Sequence, residues 1–232
     1  MYMLAYTHNA NSKKTSASKS SAPLSVPSKS PPPAGRSAFS SRQLLDRFLD
    51  LLPCRQLWKL PALKNAKLYE RLFTPIVTLW YLIFQRLAPD HTLERVLADA
   101  QAGGADSLCK RLSKKLLSIA TTSYSNARQR LPVAFLTEAL ALQAGQILAL
   151  NPKARWRGLL VSLLDGSTLR LRPYGDIPRH FPAHRNQAKI PAYWCLMRVV
   201  VCFCAHTGAA LSCAWGATSW SEQVLACQIL LS

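Results

Sequence analysis

Acidic residues are scarce in this 232-residue chain. Eleven Asp plus Glu stand against 29 Lys plus Arg, a formal charge of +18. Such an imbalance argues against a cationic partner and points to a polyanion, nucleic acid ahead of an anionic membrane surface. Long apolar runs are also missing. The stretches 72–84 and 196–205 fall short of the roughly 18 apolar residues that a bilayer span needs, so no membrane association is expected. Residues 1–10 lack the apolar segment of a secretory signal. The seven cysteines form an odd, uneven set. Cys202 and Cys204 have no second Cys or His pair at zinc-ligand spacing, and buried thiols in a reducing compartment are expected. No internal repeat is present, which excludes a solenoid.

What is present supports a real core, since 49% of the residues are hydrophobic. The positive charge is distributed. Residues 1–40 hold five basic and no acidic residues, 41–150 fifteen and eight, and 151–232 nine and three. Any folded parts are therefore basic in their own right.

Three regions follow from composition and period. Residues 1–40, with ten Ser and five Pro, cannot bury apolar surface and are expected to form a disordered basic tail. Residues 41–150 read as helical. Ser40 or Ser41 caps a first helix that ends at Pro53, and Thr74-Pro75 opens a second that runs to Ala88. Asp90 caps a third over 92–101, released by Gly103-Gly104. Pro132 opens a fourth, with Leu136, Leu140, Gln143 and Ile147 on its packed stripe. Trp58, Trp80, Tyr81 and Phe84 are expected in the core.

Beyond Pro152 the period changes. An apolar run at 158–164 suits a strand ending at Asp165-Gly166, and 172–192 reads as a long basic loop. Strands follow at 193–205 and 209–215, joined by a turn at His206–Gly208. Ser219 and Glu222 have the spacing of a capping box ahead of a final helix. The fold class expected is α+β, with regions 1–40, 41–150 and 151–232.

Asp165 is the most informative residue. At the end of an apolar strand its carboxylate would be rigidly held and open to a metal; an Asp-Gly turn explains the same pair on backbone grounds alone. In the helical region Ser123 caps a helix that projects Asn126, Arg128 and Arg130, side chains suited to phosphates and base edges. Lys110, Arg111, Lys114 and Lys115 lie just upstream. Arg170, Arg172, Arg179, Arg185 and Lys189, with His180 and His184, make the later loop strongly basic. For the 123–131 segment and the basic residues at 110–115, a solvated basic helix surface accounts equally well. Pro182 between the two histidines excludes a zinc-binding helix.

Three segments resemble the DDE transposases of bacterial insertion sequences, specifically the insertion-sequence-four group. Residues 163–171, Leu-Leu-Asp-Gly-Ser-Thr-Leu-Arg-Leu, look like the strand that bears the first catalytic aspartate. Residues 191–198 with the valines that follow look like the next strand. Residues 73–85 with 124–131 look like the helical N-terminal region. The resemblance implies a helical DNA-binding region followed by the first half of an RNase H-like domain, three strands then a helix. It also implies Asp165 as a catalytic metal ligand, a two-Mg²⁺ site, terminal inverted repeats of double-stranded DNA as partner, a possible homo-oligomer, and a cytoplasmic, nucleoid-associated location. The activity implied is Mg²⁺-dependent DNA strand cleavage and transfer.

The chain departs from that pattern. After Asp165 the remaining acids are Asp176 and Glu222, and neither stands where the family places its second Asp or its Glu. Glu222 reads as a capping residue. One ligand of three is therefore expected, in an N-terminal fragment that is inactive alone. The alternative is a non-catalytic DNA-binding protein, or an inhibitor of transposition derived from a transposase.

Overall fold

The computed structural model of the chain describes residues 40–64, 72–109, 112–116, 120–185 and 191–231, and nothing of the side chains at 184, 185, 191 and 192. The expected tail, Lys110, Arg111 and Lys189 lie outside these residues.

The fold is α+β: helices first, then an antiparallel sheet closed by one helix. The helices are α1 (Ser41–Leu51), α2 (Cys54–Leu57), α3 (Pro61–Lys64), α4 (Pro75–Leu87), α5 (Leu93–Gln101), α6 (Leu112–Lys115), α7 (Thr122–Arg130) and α8 (Val133–Leu150). Their boundaries follow from local chemistry. Ser40 and Gln43 form a reciprocal capping box on α1. Thr74 Oγ1 accepts from the Val77 N–H at the start of α4, where Pro75 has no N–H to leave unpaired. The cap of α5 is Thr92, not Asp90; Thr92 Oγ1 accepts the Arg95 N–H at 3.2 Å, while Asp90 reaches back to the Thr92 N–H. Gly103, at φ +87°, takes the left-handed conformation that releases the chain.

α4 is apolar nearly all round and becomes the central helix. Trp80, Tyr81 and Phe84 are buried and stack with Phe48, Phe73 and Tyr124 at centroid distances of 5.4 to 6.4 Å. The Tyr81 hydroxyl donates to Asp99 at 3.3 Å, and burial followed by that carboxylate pushes its pKa far up. α8 closes the helical unit. Its Glu138 accepts the Ala62 N–H at 3.0 Å, and Gln146 donates to Gln56 at 3.1 Å. The buried stripe of α8 is Phe135, Ala139 and Ala144 rather than the Leu136 stripe, because a partner on each side uses a different face. The helix touches α1 and α3 and also the sheet strand β4 (Ala210–Ala217). Among the described residues α8 is the helix long and apolar enough to cross a membrane, whereas 72–84 and 196–205 fall mainly in α4 and in strand β3 (Pro191–Cys204).

The sheet begins after a tight turn. Arg157 (φ +50°) and Gly158 (φ +81°) sit between Trp156 and Leu159, whose N–H groups each donate to the other's carbonyl at 2.9 Å. The positive-φ glycine that turns the chain is therefore Gly158, and β1 (Ser162–Leu171) runs straight through Asp165-Gly166. The alternation of Ser167, Leu169 and Leu171 carries the strand onward, so Asp165 lies inside the strand and not at its end. The expected loop contains a short helix, α9 (Ile177–His180), and a three-residue strand, β2 (Ala183–Arg185). β3 is central, with β1 on one side and both β2 and β4 on the other, all antiparallel. α10 (Glu222–Leu231) packs on one face through Leu225, against Val200 and Ala214. The other face is covered at one end, where Ile177 and Phe181 pack on Leu171, Cys195 and Met197. All seven cysteines are free; Cys195, Cys202 and Cys204 are buried within β3.

Candidate nucleic-acid interface

α7 separates its residues into two stripes. Tyr124 and Ala127, followed by Leu131 at the cap, are buried in the helical core. Ser123, Asn126 and Arg130, at i, i+3 and i+7, are exposed on an adjacent stripe. The helix begins two residues earlier than a Ser123 cap would place it, with Thr121 as its N-cap, so Ser123 lies in the first turn and is exposed.

The outward stripe lines a cleft of about 570 Å³. Lys115 of α6 joins it, with Phe73 and Thr74 at the start of α4 and Trp58 just after α2. No carboxylate is among the described residues that line it. Trp58 is 48% exposed, contrary to its expected place in the core. Its ring projects at the rim because the core beside it is already filled by Leu57.

Arg128 lies off this stripe. Its guanidinium sits 5.6 Å from the centroid of the Tyr124 ring, as a partly buried cation over an aromatic face. Burial raises the Tyr124 pKa, and the Arg128 and Arg86 charges oppose that rise. Among the described residues the one ion pair is Arg47 with Asp50, at 4.0 Å on the open surface. With 29 basic residues against 11 acidic ones, the excess positive charge has no counterpart within the chain.

Asp165 is exposed and makes no hydrogen bond or ion pair with a described residue. Its neighbour Gly166 pairs with Val200, which faces α10, so strand alternation puts Asp165 on the opposite face. Glu222 sits where sequence reasoning missed it. The N-cap of α10 is Ser221, whose hydroxyl accepts the Val224 N–H at 3.2 Å, so Glu222 is the first helical residue and takes no part in a Ser219 capping box. Its carboxylate instead lies over β1, with oxygens 2.7 and 2.9 Å from where a Gly166 Cβ would stand. A side chain at 166 would close this approach. The signal available in the sequence was the bare glycine beside the aspartate.

Asp165 and Glu222 therefore flank one edge strand from opposite faces. Asp176, exposed just before α9, joins neither. Among the described residues no group of three or more His, Cys, Asp or Glu side chains comes together as a metal site.

Four of the basic residues of the second region gather at one end of the sheet, while Lys153, Arg155 and Arg157 precede β1 and Arg198 lies within β3. Arg170 is near the end of β1, Arg172 follows it, Arg179 is on α9, and Arg185 pairs with Pro191 at the start of β3. Arg170, Arg172 and Arg179 are exposed. Arg170 stands five residues beyond Asp165 along β1, about 17 Å away at the usual strand rise. The basic end and the aspartate are separate places. Compared with family models, with characterised proteins and with solved structures, the chain has no match.

Proposed function

We propose that this chain is a DNA-binding protein of the insertion-sequence transposase type, whose helical region grips duplex DNA. The observation that carries the proposal is the α7 stripe of Ser123, Asn126 and Arg130, beside Lys115, on a cleft whose described lining residues include no carboxylate. Lys and Arg at phosphates supply affinity, and Asn can read a base edge. Arg170, Arg172 and Arg179 form a second cationic surface for the same polyanion. An RNase H-like beginning is supported by β1, β3 and β4 lying side by side in chain order ahead of α10. Terminal inverted repeats are the DNA, and the nucleoid the location, that this reading implies.

A two-Mg²⁺ centre holds its ions about 3.5–4 Å apart and needs several carboxylates on one side of the sheet. Asp165 supplies one, and Glu222 faces the other way. The described residues do not fit the metal pair, and no cleavage step is derived from them. The non-catalytic reading, a DNA-binding protein or a competitor for transposon ends, is the one that this carboxylate arrangement favours.

Fluorescence anisotropy of labelled duplex against the full chain, over a series of salt concentrations, tests the proposal. Binding should weaken steeply with salt, and Arg130→Ala should reduce the log–log slope by about 0.9 through loss of one phosphate contact. A salt-independent signal, or an unchanged slope in Arg130→Ala, refutes the α7 assignment. No nicking of supercoiled DNA in Mg²⁺ is expected from these 232 residues. Nicking that is lost in Asp165→Ala would restore the catalytic reading.

A further inference from the structure

We infer that the α7 cleft holds a nucleoside phosphate: one unpaired nucleotide at the end of a DNA strand, or a free nucleotide of the same chemistry. The inference rests on the DNA-binding reading for its first source and on the cleft alone for its second. About 570 Å³ lies within the range of small-molecule sites and is far too small to admit a duplex. A DNA base that enters must therefore lie outside the double helix.

The walls divide by chemistry. Trp58 offers the exposed aromatic surface, and Phe73, largely buried against Tyr81 and Tyr124, reaches the lining only at its edge. Trp58 is half-exposed at the rim, and hydrogen bonding of its backbone N–H to the Cys54 carbonyl at 3.0 Å fixes its position at the end of α2. Flat nucleobases stack on such faces with little regard to sequence. Lys115 and Arg130 supply two cations and Ser123 a hydroxyl, a set suited to a phosphate monoester or diester. Asn126, between Ser123 and Arg130 on the same stripe, carries a donor and an acceptor that match a base edge. Among the described lining residues no carboxylate competes with a ligand for these two cations. An apolar ligand would leave them unpaired, and an inorganic anion would leave the aromatic wall unused. A nucleotide satisfies both.

Three probes against the full chain test this: a blunt duplex, the same duplex with one unpaired 3′ deoxyadenosine, and free deoxyadenosine monophosphate. The overhang duplex should bind about tenfold tighter than the blunt one, from one base–aromatic stack. Trp58→Ala should bring that ratio to about one, and Trp58→Phe should keep most of it. Binding of the free nucleotide with no overhang advantage, lost in Trp58→Ala, supports the site with free nucleotide as its source. The same result without any duplex binding retains the site and refutes the DNA reading. Equal binding of the two duplexes with no binding of the free nucleotide overturns the inference and leaves duplex binding intact. An overhang preference untouched by Trp58→Ala also overturns it.

Discussion

The helical unit and the sheet region have similar apolar fractions but hold together very differently. Among the described residues, 23 buried side chains form one continuous helical core. On the sheet, two clusters of three buried residues each lie on opposite faces. A bundle surrounds its central helix, so α4 can bury nearly every side chain it has. An open sheet must be covered on both faces by other elements. Here α10 covers part of one face, α9 one end of the other, and α8 packs against β4. Leu163 and Trp215 remain exposed on the face of Asp165. Stability follows from enclosure, and apolar content alone does not supply it.

The largest expected effect lies in the bundle. Trp80→Ala removes the ring that meets Phe48, Tyr81 and Phe84 and should cost about 3–5 kcal/mol in urea unfolding monitored by circular dichroism. Leu225→Ala, at an equally buried position on the sheet, should cost about 2 kcal/mol, the low end for such truncations, because its surroundings can relax. Equal losses in the two variants would end the contrast.

Two glycines sharpen it further. A Cβ at Gly216 would lie 3.1 and 3.2 Å from Trp220 ring carbons and 3.4 Å from Leu225, so Gly216→Ala should destabilise by about 1 kcal/mol. Gly166→Ala meets only the end of the Glu222 side chain, which can swing away from an exposed first turn. Its effect on the thermal midpoint should be the smaller of the two; the reverse order would mean that Glu222 is firmly held over β1.

The smallest effect is a pH dependence in the bundle. Asp106 accepts from the Ser113 hydroxyl at 2.6 Å and the Ser113 N–H at 2.9 Å, and these donors hold its carboxyl below the usual range. A carboxyl with a depressed folded pKa contributes stability fully above its unfolded value, near 3.9, and loses it as pH falls through the folded value. Thermal melts across that acid range should show a shallower decline for Ser113→Ala than for the parent. Identical declines would show that the Ser113 bonds do not set the Asp106 titration.

Which parts could be read from sequence follows the range of the interaction. The cap of α1, Thr74 with Pro75 and the release at Gly103 are decided within a few residues and were legible, the first as Ser40 or Ser41 without its Gln43 partner. The outward placing of Asn126 and Arg130 on α7 was legible too, whereas Ser123, read as the cap, lies inside the first turn. The inward turn of Arg128 was not, since it depends on where the core places Tyr124. Asp165-Gly166 has turn chemistry, yet the strand partner β3 holds both residues extended and Gly158 makes the turn instead. Glu222 over Gly166 is a contact between elements remote in the chain, which no local pattern encodes. β2, at three residues, is too short to show a period.

The contacts of α8 set a schedule for synthesis. Its bond from Gln146 to Gln56 spans 90 residues, and that from Glu138 to the Ala62 N–H spans 76. The first helices thus wait for the last before their core can close. On a ribosome adding roughly 5–20 residues per second, the wait for α8 lasts several seconds. Throughout it the apolar surface of α4 is exposed to whatever else binds nascent chains. The sheet emerges later and meets a helix already seated, with the outer side of α8 ready to receive β4.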